Sequence, residues 1–155
     1  FDLSHLPVSN LVVKSTSADI KLDYLKNFPN SVRMDTMKVS VNMGHVNAAN
    51  LNLSNAKEMI FESNYGSINL SFSGNMAESC NIQATVGAGK VELLLPDDSQ
   101  PYIVKIKSTA MCRTYVPKHL KDIGNKTYVS KSYHQNSKNL MTFNIDVSVG
   151  SVTLK

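Results

Sequence analysis

The sequence predicts an all-β protein, a β-solenoid-like stack of short strands joined at glycine corners. Three observations predict it. Apolar and polar residues alternate over many short segments, as they do in half-buried strands. A glycine interrupts this alternation at residues 44, 66, 89 and 150, with an alanine at 18, so the first interruptions recur roughly every 22 to 26 residues, a period typical of stacked coils. Signals for helices are sparse, whereas turn residues are frequent.

Each copy of the repeat has three alternating positions, a glycine, and then resumed alternation. Because period two places one set of side chains on one face, we expect all three positions to face the core. Glycine allows a sharp bend, so each copy predicts two short strands joined at a corner. The copies are Val39, Val41 and Met43 with Gly44; Phe61, Ser63 and Tyr65 with Gly66; Ile82, Ala84 and Val86 with Gly89 and one extra residue at the corner; Ile145, Val147 and Val149 with Gly150; and a weaker one, Val13, Ser15 and Ser17 with Ala18.

The segment 101–138 departs from this plain array. It contains one good strand, Tyr102 to Ile106, and otherwise predicts diverged coils or an elaborated loop. Short helical turns are expected at Asn55–Met59 and Pro117–Asp122. We expect one domain over residues 1–155, and strand spacing alone also permits a β-sandwich.

The last strand, Phe143 to Leu154, must pair on both sides or lie at an edge covered by a loop or a second copy. The stretch Met111 to Gln135 is the predicted cover. A dimer through a strand edge is the corresponding assembly hypothesis.

Composition indicates a folded chain: of 155 residues, 42% are hydrophobic and 18% are charged. No apolar run reaches the length of about 18 residues that spans a membrane. The formal net charge is +4, and the basic excess lies between residues 102 and 138. Such a segment is either a solvated face or a binding surface for an anionic polymer. The candidate binding residues are Lys105, Lys107, Arg113, Tyr115, Lys118, Lys121, Tyr128 and Lys131.

Residues that could support catalysis or bind a cofactor form no recognised pattern. Cys80 and Cys112 lack zinc-ligand spacing, and they are either a disulfide or two free thiols. Asp97 and Asp98 follow a proline and predict a turn rather than an acid–base pair. The glycine-rich 86–90 lacks the ending of a phosphate-binding loop. We therefore predict no enzyme activity, no cofactor and no metal.

Three segments carry a resemblance to a known family: Gly66–Leu70, Val86–Pro96 and Val147–Leu154. They resemble the toast-rack domain, also called the "putative adhesin" domain, of bacterial cell-envelope proteins. The resemblance implies a short right-handed β-solenoid-like stack without established enzymatic activity. It has no defined catalytic residues to carry over.

On this resemblance the chain is expected to be a structural or protein-interaction module, adhesin-like or regulating envelope stress. The expected location is the bacterial cell envelope, periplasmic or surface-exposed, and the expected partner is a protein or a second copy. No nucleic-acid partner is expected. Because the chain begins at Phe1, it is expected to be a fragment or mature form, which leaves membrane attachment to residues outside this segment. The alternative is a module that binds an anionic or glycan polymer through residues 102–138.

Overall fold

A computed structural model describes residues 1–25 and 27–155. It is an all-β stack, and the described residues contain no α-helix. One 3₁₀ turn, Leu51–Ser54, precedes the strand that begins at Ala56. The strands are β1 (Asn10–Ser17), β2 (Ile20–Leu22), β3 (Met34–Ala48), β4 (Ala56–Ser71), β5 (Cys80–Leu94), β6 (Tyr102–Ser108), β7 (Cys112–Tyr115), β8 (Lys121–Gly124), β9 (Thr127–Val129) and β10 (Met141–Leu154).

The strands stack as six parallel coils. β1 with β2 forms coil 1, and β3, β4 and β5 form coils 2, 3 and 4; β10 forms coil 5, and β6 with β7 forms coil 6. All strand pairs among these coils are parallel, along one continuous path. A β-sandwich would instead need two packed sheets with antiparallel connections. The stacked fold is therefore confirmed over the sandwich alternative.

The predicted glycine corners lie at equivalent bends, one above another. Gly44 pairs with Gly66, Gly66 with Gly89, and Gly89 with Gly150. Each has a φ between 135° and 146°, a region that side chains rarely adopt. A Cβ added to any of them would collide with the backbone of the preceding coil. The prediction of a stacked glycine column is confirmed.

The first and last coils make this corner without glycine. Ala18 forms the corner of coil 1, and its methyl group meets no preceding coil because the described chain has none at that point. Coil 6 has Cys112 at the corner. Ser108 pairs with Val147 of β10 and Cys112 pairs with Gly150, and coil 6 has one residue more than β10 between these two pairs. The extra residue breaks the strand, so the turn needs no glycine.

The prediction that three positions precede each corner inside the core is wrong at the third position. Met43, Tyr65 and Val149 are 55%, 61% and 42% exposed. The chain starts to bend before the glycine, so the side chain just before it points outward at a convex corner. Five residues predicted to be buried are buried: Val41, Ile68, Val91, Val147 and Val152.

The extra corner residue predicted in the fourth copy is also absent. Val86 pairs with Ser63, Ala88 with Tyr65 and Gly89 with Gly66, so β5 and β4 are equally long through the corner. Ala88, not Val86, occupies the third position. Sequence reasoning placed the register two residues out because it counted Ile82, Ala84 and Val86 as the three positions, whereas Ala84 and Val86 occupy the first and second.

The C-terminal strand lies inside the stack. β10 pairs with β5 on one side and with β6 and β7 on the other. After coil 4 the chain therefore passes over one position, builds coil 6, and returns to fill the gap. Of the two predictions for Phe143–Leu154, pairing on both sides is confirmed.

The predicted covering segment is partly a coil and partly a hairpin. β7 belongs to coil 6, and the hairpin of β8 and β9 pairs antiparallel with the outer edge of β6. Gly124, Asn125 and Lys126 turn this hairpin with positive φ angles. Segment 101–138 thus contributes one diverged coil and a cap over its edge, as the covering prediction required.

Apolar side chains fill the interior, and buried side-chain amides bond to the loops between the long strands. Phe143 packs edge-on against Phe72 and Tyr102. Gln100 is fully buried: its amide accepts from the Met76 backbone N–H and donates to two backbone carbonyls. Asn30 joins the loops in the same way near coil 1. These bonds satisfy loop backbone groups that would otherwise be buried without partners.

Neither predicted helical turn forms a helix. Asn55 is a left-handed residue after the 3₁₀ turn, and residues 56–59 belong to β4. Pro117–Leu120 is an isolated turn, followed by β8. Pairing with the neighbouring coil overrides the weak helical tendency of these short segments.

Candidate binding surfaces

The outside of the stack has two walls that meet at the glycine corner. The first wall comprises the outward residues before the corner, on β1, β6 and the first halves of β3, β4, β5 and β10. The second wall comprises the outward residues after the corner, on β2, β7 and the second halves of the long strands. Parallel coils place equivalent residues directly above one another about 4.8 Å apart, so each wall carries columns of side chains.

Polar side chains in these columns hydrogen bond from coil to coil. The Asn64 amide donates to Asn42 on the first wall, at 2.7 Å. On the second wall, Asn69 donates to Asn47 at 2.7 Å, and the ring of His45 lies 2.6 Å from the Ser67 hydroxyl. His45, singled out by its place at a corner, is thus a surface histidine bonded to its neighbour in the column.

The candidate residues from sequence are distributed over three parts of the coil 6 end. Lys105 and Lys107 are exposed on the first wall, beside a shallow depression of about 270 Å³ that Asn144 and Asp146 also line. Arg113 and Tyr115 are exposed on the second wall, across the corner from those lysines. The two pairs therefore face different directions.

The other four candidates belong to the covering segment. Lys118 and Lys121 are exposed, and the ammonium of Lys131 lies 3.5 Å from the Asp98 carboxylate. Tyr128 is half-buried and packs against the core. Tyr128 therefore has a structural contact as well as an exposed part, and the binding role of all eight residues stays a prediction.

A surface that sequence reasoning missed runs along the corner itself. The strand register aligns Met43, Tyr65, Ala88 and Val149 in one column. Met111 lies beside Val149, because the Gly150 N–H donates a hydrogen bond to the Met111 carbonyl. Met111 is 70% exposed. We call these five residues the corner ridge. The signal was present in the sequence, because each residue directly precedes the corner position, but period two assigned Met43, Tyr65 and Val149 to the core.

The two ends of the stack differ. At the coil 6 end, the hairpin covers the outer edge of β6. At the other end, residues 1–3 pair with the end of β2, through bonds that join Phe1 and Leu3 to Asp23. Within the described part of the chain β1 pairs only with β3, so the other edge of β1 is open. Val12, on this strand, is 61% exposed.

Titratable groups show shifts that do not favour acid–base or nucleophilic chemistry. Burial raises the pKa of the Cys80 thiol to about 12 and also raises that of Cys112. The hydrogen bond from Lys155 lowers the pKa of Glu92, and bonds from Ser99 lower that of Asp97. Thiols thus stay protonated and these acids stay ionised near neutral pH, whereas catalytic groups need pKa values near the working pH.

The cysteines are unpaired thiols, and Asp97 of the acidic pair forms a turn. Cys80 and Cys112 are both free, which decides the question left open by the sequence. Asp97 accepts from the backbone and hydroxyl of Ser99, as a turn residue does. Residues 1–25 and 27–155 contain no cluster of three or more metal-ligating side chains. The same residues include no helix long and apolar enough to cross a membrane.

Comparison with known proteins gives one informative likeness. No protein-family model matches the chain, and no curated protein does. Among solved structures, a protein from Clostridium sporogenes described as a "putative cell adhesion protein" superposes with a TM-score of 0.82 at 17% identity. The match covers 96% of this chain and 92% of that one. At this identity the likeness establishes a shared fold over nearly the whole chain.

Proposed function

We propose that this chain is a non-catalytic domain of the bacterial cell envelope or cell surface that acts through protein contacts. The similar fold of a protein described as a "putative cell adhesion protein" supports an adhesin-like role outside the cytoplasm. The raised pKa values of the Cys80 and Cys112 thiols argue against a cysteine nucleophile.

The open edge of β1 carries the proposal. An unpaired strand edge presents N–H and C=O groups that pair readily with another strand. The chain covers the edge of β6 with a hairpin but leaves the edge of β1 open, with Val12 exposed on it. Association of two copies through the same β1 edge is isologous, so it closes as a dimer and does not continue into a fibre. A second copy is therefore the proposed partner.

Sedimentation equilibrium over a wide concentration range tests this assembly. We expect the wild-type protein to dimerise and the Val12→Lys variant to remain monomeric, because a lysine on an edge strand opposes pairing. Leu94→Lys is the matched control, since Leu94 is 49% exposed but lies on β5, inside the stack. A wild-type protein that stays monomeric at every concentration would remove self-association through β1.

A second candidate function is binding of an anionic or glycan polymer. The observation that favours it is the pair Arg113 and Tyr115, both exposed on the second wall of β7. A guanidinium can bind acidic groups while a tyrosine stacks on a sugar ring. Retention on an immobilised acidic polysaccharide should then fall for Arg113→Gln and for Tyr115→Ser but not for Lys14→Gln, which changes an exposed lysine on β1 at the other end of the stack. Equal retention of all three variants would argue against this surface.

A further inference from the structure

The corner ridge is a continuous apolar strip on a convex edge. Its five residues cross coils 2 to 6, so at about 4.8 Å per coil the ridge is roughly 20 Å long. Met43, Tyr65, Val149 and Met111 are 42% to 70% exposed. Folded monomeric proteins rarely present contiguous apolar strips unless the strip contacts something.

The fold does not require apolar residues at this position. In coil 1 the equivalent residue is Ser17, which pairs with Met43 and is exposed. The side chain at this position points away from the core, so it contributes little to the packing of the coils. The apolar residues at this position in the other five coils therefore have no explanation in the stability of the stack.

Basic side chains flank the ridge at the coil 4 to coil 6 end. Lys90 and Arg113 lie on the second wall, each one position past the corner residue, and neither forms an ion pair in the described part of the chain. Lys126 lies close enough to the corner residue Cys112 for its charge to act on the thiol. Burial raises the pKa of Cys112, and the positive charge of Lys126 partly offsets that rise. The nearest acid in the same column, Asp19, lies at the coil 1 end and accepts from the His45 N–H.

The other flank of the ridge is uncharged. The residues just before it on the first wall include Asn42, Asn64, Gly87 and Ser148. The nearest charges on that wall lie one outward position farther back, in a column with two acids and two lysines: Lys14, Glu62, Asp146 and Lys107. The ridge therefore combines an apolar edge with a local excess of positive charge.

We propose that the corner ridge docks this domain on an anionic lipid membrane surface. A convex strip can enter the headgroup region of a bilayer, whereas a protein partner would have to supply a matching groove. Tyrosine is enriched at membrane interfaces, and methionine adapts to irregular apolar surroundings. Lys90, Arg113 and Lys126 would lie against the lipid phosphates, with the two walls facing away from the bilayer.

The expected electrostatic effect is large enough to measure. Each lysine or arginine near an anionic membrane changes the partition coefficient by about fivefold. Removing two such charges should therefore weaken vesicle binding by about 25-fold. Raising the ionic strength should weaken binding of the wild-type protein as well, because salt screens exposed charges.

The first experiment uses the absence of tryptophan from the chain. In the Tyr65→Trp variant, the only tryptophan reports on the ridge. We expect its emission to shift to the blue with vesicles that contain phosphatidylglycerol and to stay unchanged with phosphatidylcholine vesicles. Leu94→Trp, a 49%-exposed position at the end of β5 and away from the corner, is the control and should not shift with either.

The second experiment measures cosedimentation with the same vesicles. The double variant Lys90→Gln/Arg113→Gln should bind about 25-fold more weakly than wild type. Lys38→Gln/Lys105→Gln makes the same change in net charge in one column of the first wall, and it should bind nearly as wild type. Far-UV circular dichroism checks that every variant is folded.

Three results would overturn the proposal. The first is no binding to anionic vesicles at low ionic strength, and the second is equal weakening by the two double variants. The third is a blue shift of Tyr65→Trp that grows with protein concentration without vesicles, which would assign the ridge to a second copy. The inference goes beyond the proposed function and does not depend on the β1 edge, so vesicle binding can fail while dimerisation is retained, and the reverse.

Discussion

The Gly66→Ala substitution should destabilise the stack more than any ordinary surface change. Gly66 has a φ of +145°, and an added Cβ would collide with the carbonyl oxygen of Gly44 in the coil below and lie 2.8 Å from its carbonyl carbon. Two costs therefore combine at one residue: backbone strain for a residue with a side chain, and a collision between adjacent coils. We expect the substituted protein to fold only with the corner locally opened.

The magnitude follows from these two costs. Backbone strain in such a sparsely populated region costs about 1–3 kcal/mol. Carbon atoms pack at about 3.5–4.0 Å, so the contact with the carbonyl carbon alone requires coils 2 and 3 to separate locally by about 1 Å, and the closer contact with the oxygen requires more. That movement weakens the backbone hydrogen bonds at the corner, each of which contributes about 1 kcal/mol. The expected loss is about 3–5 kcal/mol, a large part of the stability of a typical domain.

Substitutions at two other glycines distinguish the cost of backbone strain from the cost of a collision between coils. Gly124 has a φ of +97° and no atom within 4 Å of an added Cβ, so Gly124→Ala tests backbone strain alone. Gly87 does not have a positive φ, and its added Cβ would lie 2.7 Å from the carbonyl oxygen of Asn64, so Gly87→Ala tests a milder collision between coils without backbone strain. We expect each to lose less free energy of unfolding than Gly66→Ala does.

Urea denaturation followed by far-UV circular dichroism measures these differences. The slope of the unfolding free energy against urea should be unchanged, so that the midpoints report stability. If Gly66→Ala and Gly124→Ala lost the same free energy, close packing between coils would contribute nothing at the corner, and the reasoning would be refuted. A valine at residue 66 should be more disruptive still.

Three further predictions concern individual side chains. Val147 is fully buried and Val149 is 42% exposed, so replacement by alanine should cost about 1–3 kcal/mol at the first and under about 0.5 kcal/mol at the second in chemical denaturation; similar losses would contradict the corner geometry. A thiol reagent at mildly alkaline pH should label Cys112 slowly and leave Cys80 unlabelled until the protein unfolds, because Cys80 is buried with a raised pKa; early labelling of Cys80 would contradict its burial. The pKa of Glu92 is lowered in the folded state by its ion pair with Lys155, which is partly exposed and contributes below about 1 kcal/mol to stability. This contribution is present above the unfolded pKa of Glu92 and is lost as pH falls through the folded pKa. Glu92→Gln should therefore reduce stability at neutral pH and not in strong acid.

Sequence reasoning found the corners but misplaced the residue before them. The glycines were identifiable because a backbone-to-backbone approach at positive φ excludes every side chain, a constraint that leaves one residue type. Alternation assigned Val149 to the core. The assignment failed because alternation predicts the direction of a side chain only while the strand stays straight. At a bend the alternating directions rotate with the backbone, and an apolar residue then faces solvent.

The candidate binding surfaces were less predictable than the core. The basic residues between 102 and 138 are close in sequence, but Lys105 and Arg113 lie on opposite sides of a corner. Conversely, Met43 and Met111 are far apart in sequence and lie on the same ridge. Local charge density predicted an exposed basic segment, but stacking of the coils decides which side chains become neighbours.

The order of the coils belongs to tertiary structure alone. The sequence determined the unit itself, two short strands and a corner, because alternation and glycine act within about ten residues of one another. It could not determine that Met141–Leu154 would fill the position between β5 and β6, because strand pairing depends on matching edges and not on order along the chain. The hairpin of β8 and β9 covers one edge, and β1 stays open at the other, only after that insertion is made. The physical reason is that the repeat is encoded locally, whereas backbone hydrogen bonds between coils form wherever the fold brings unpaired edges together.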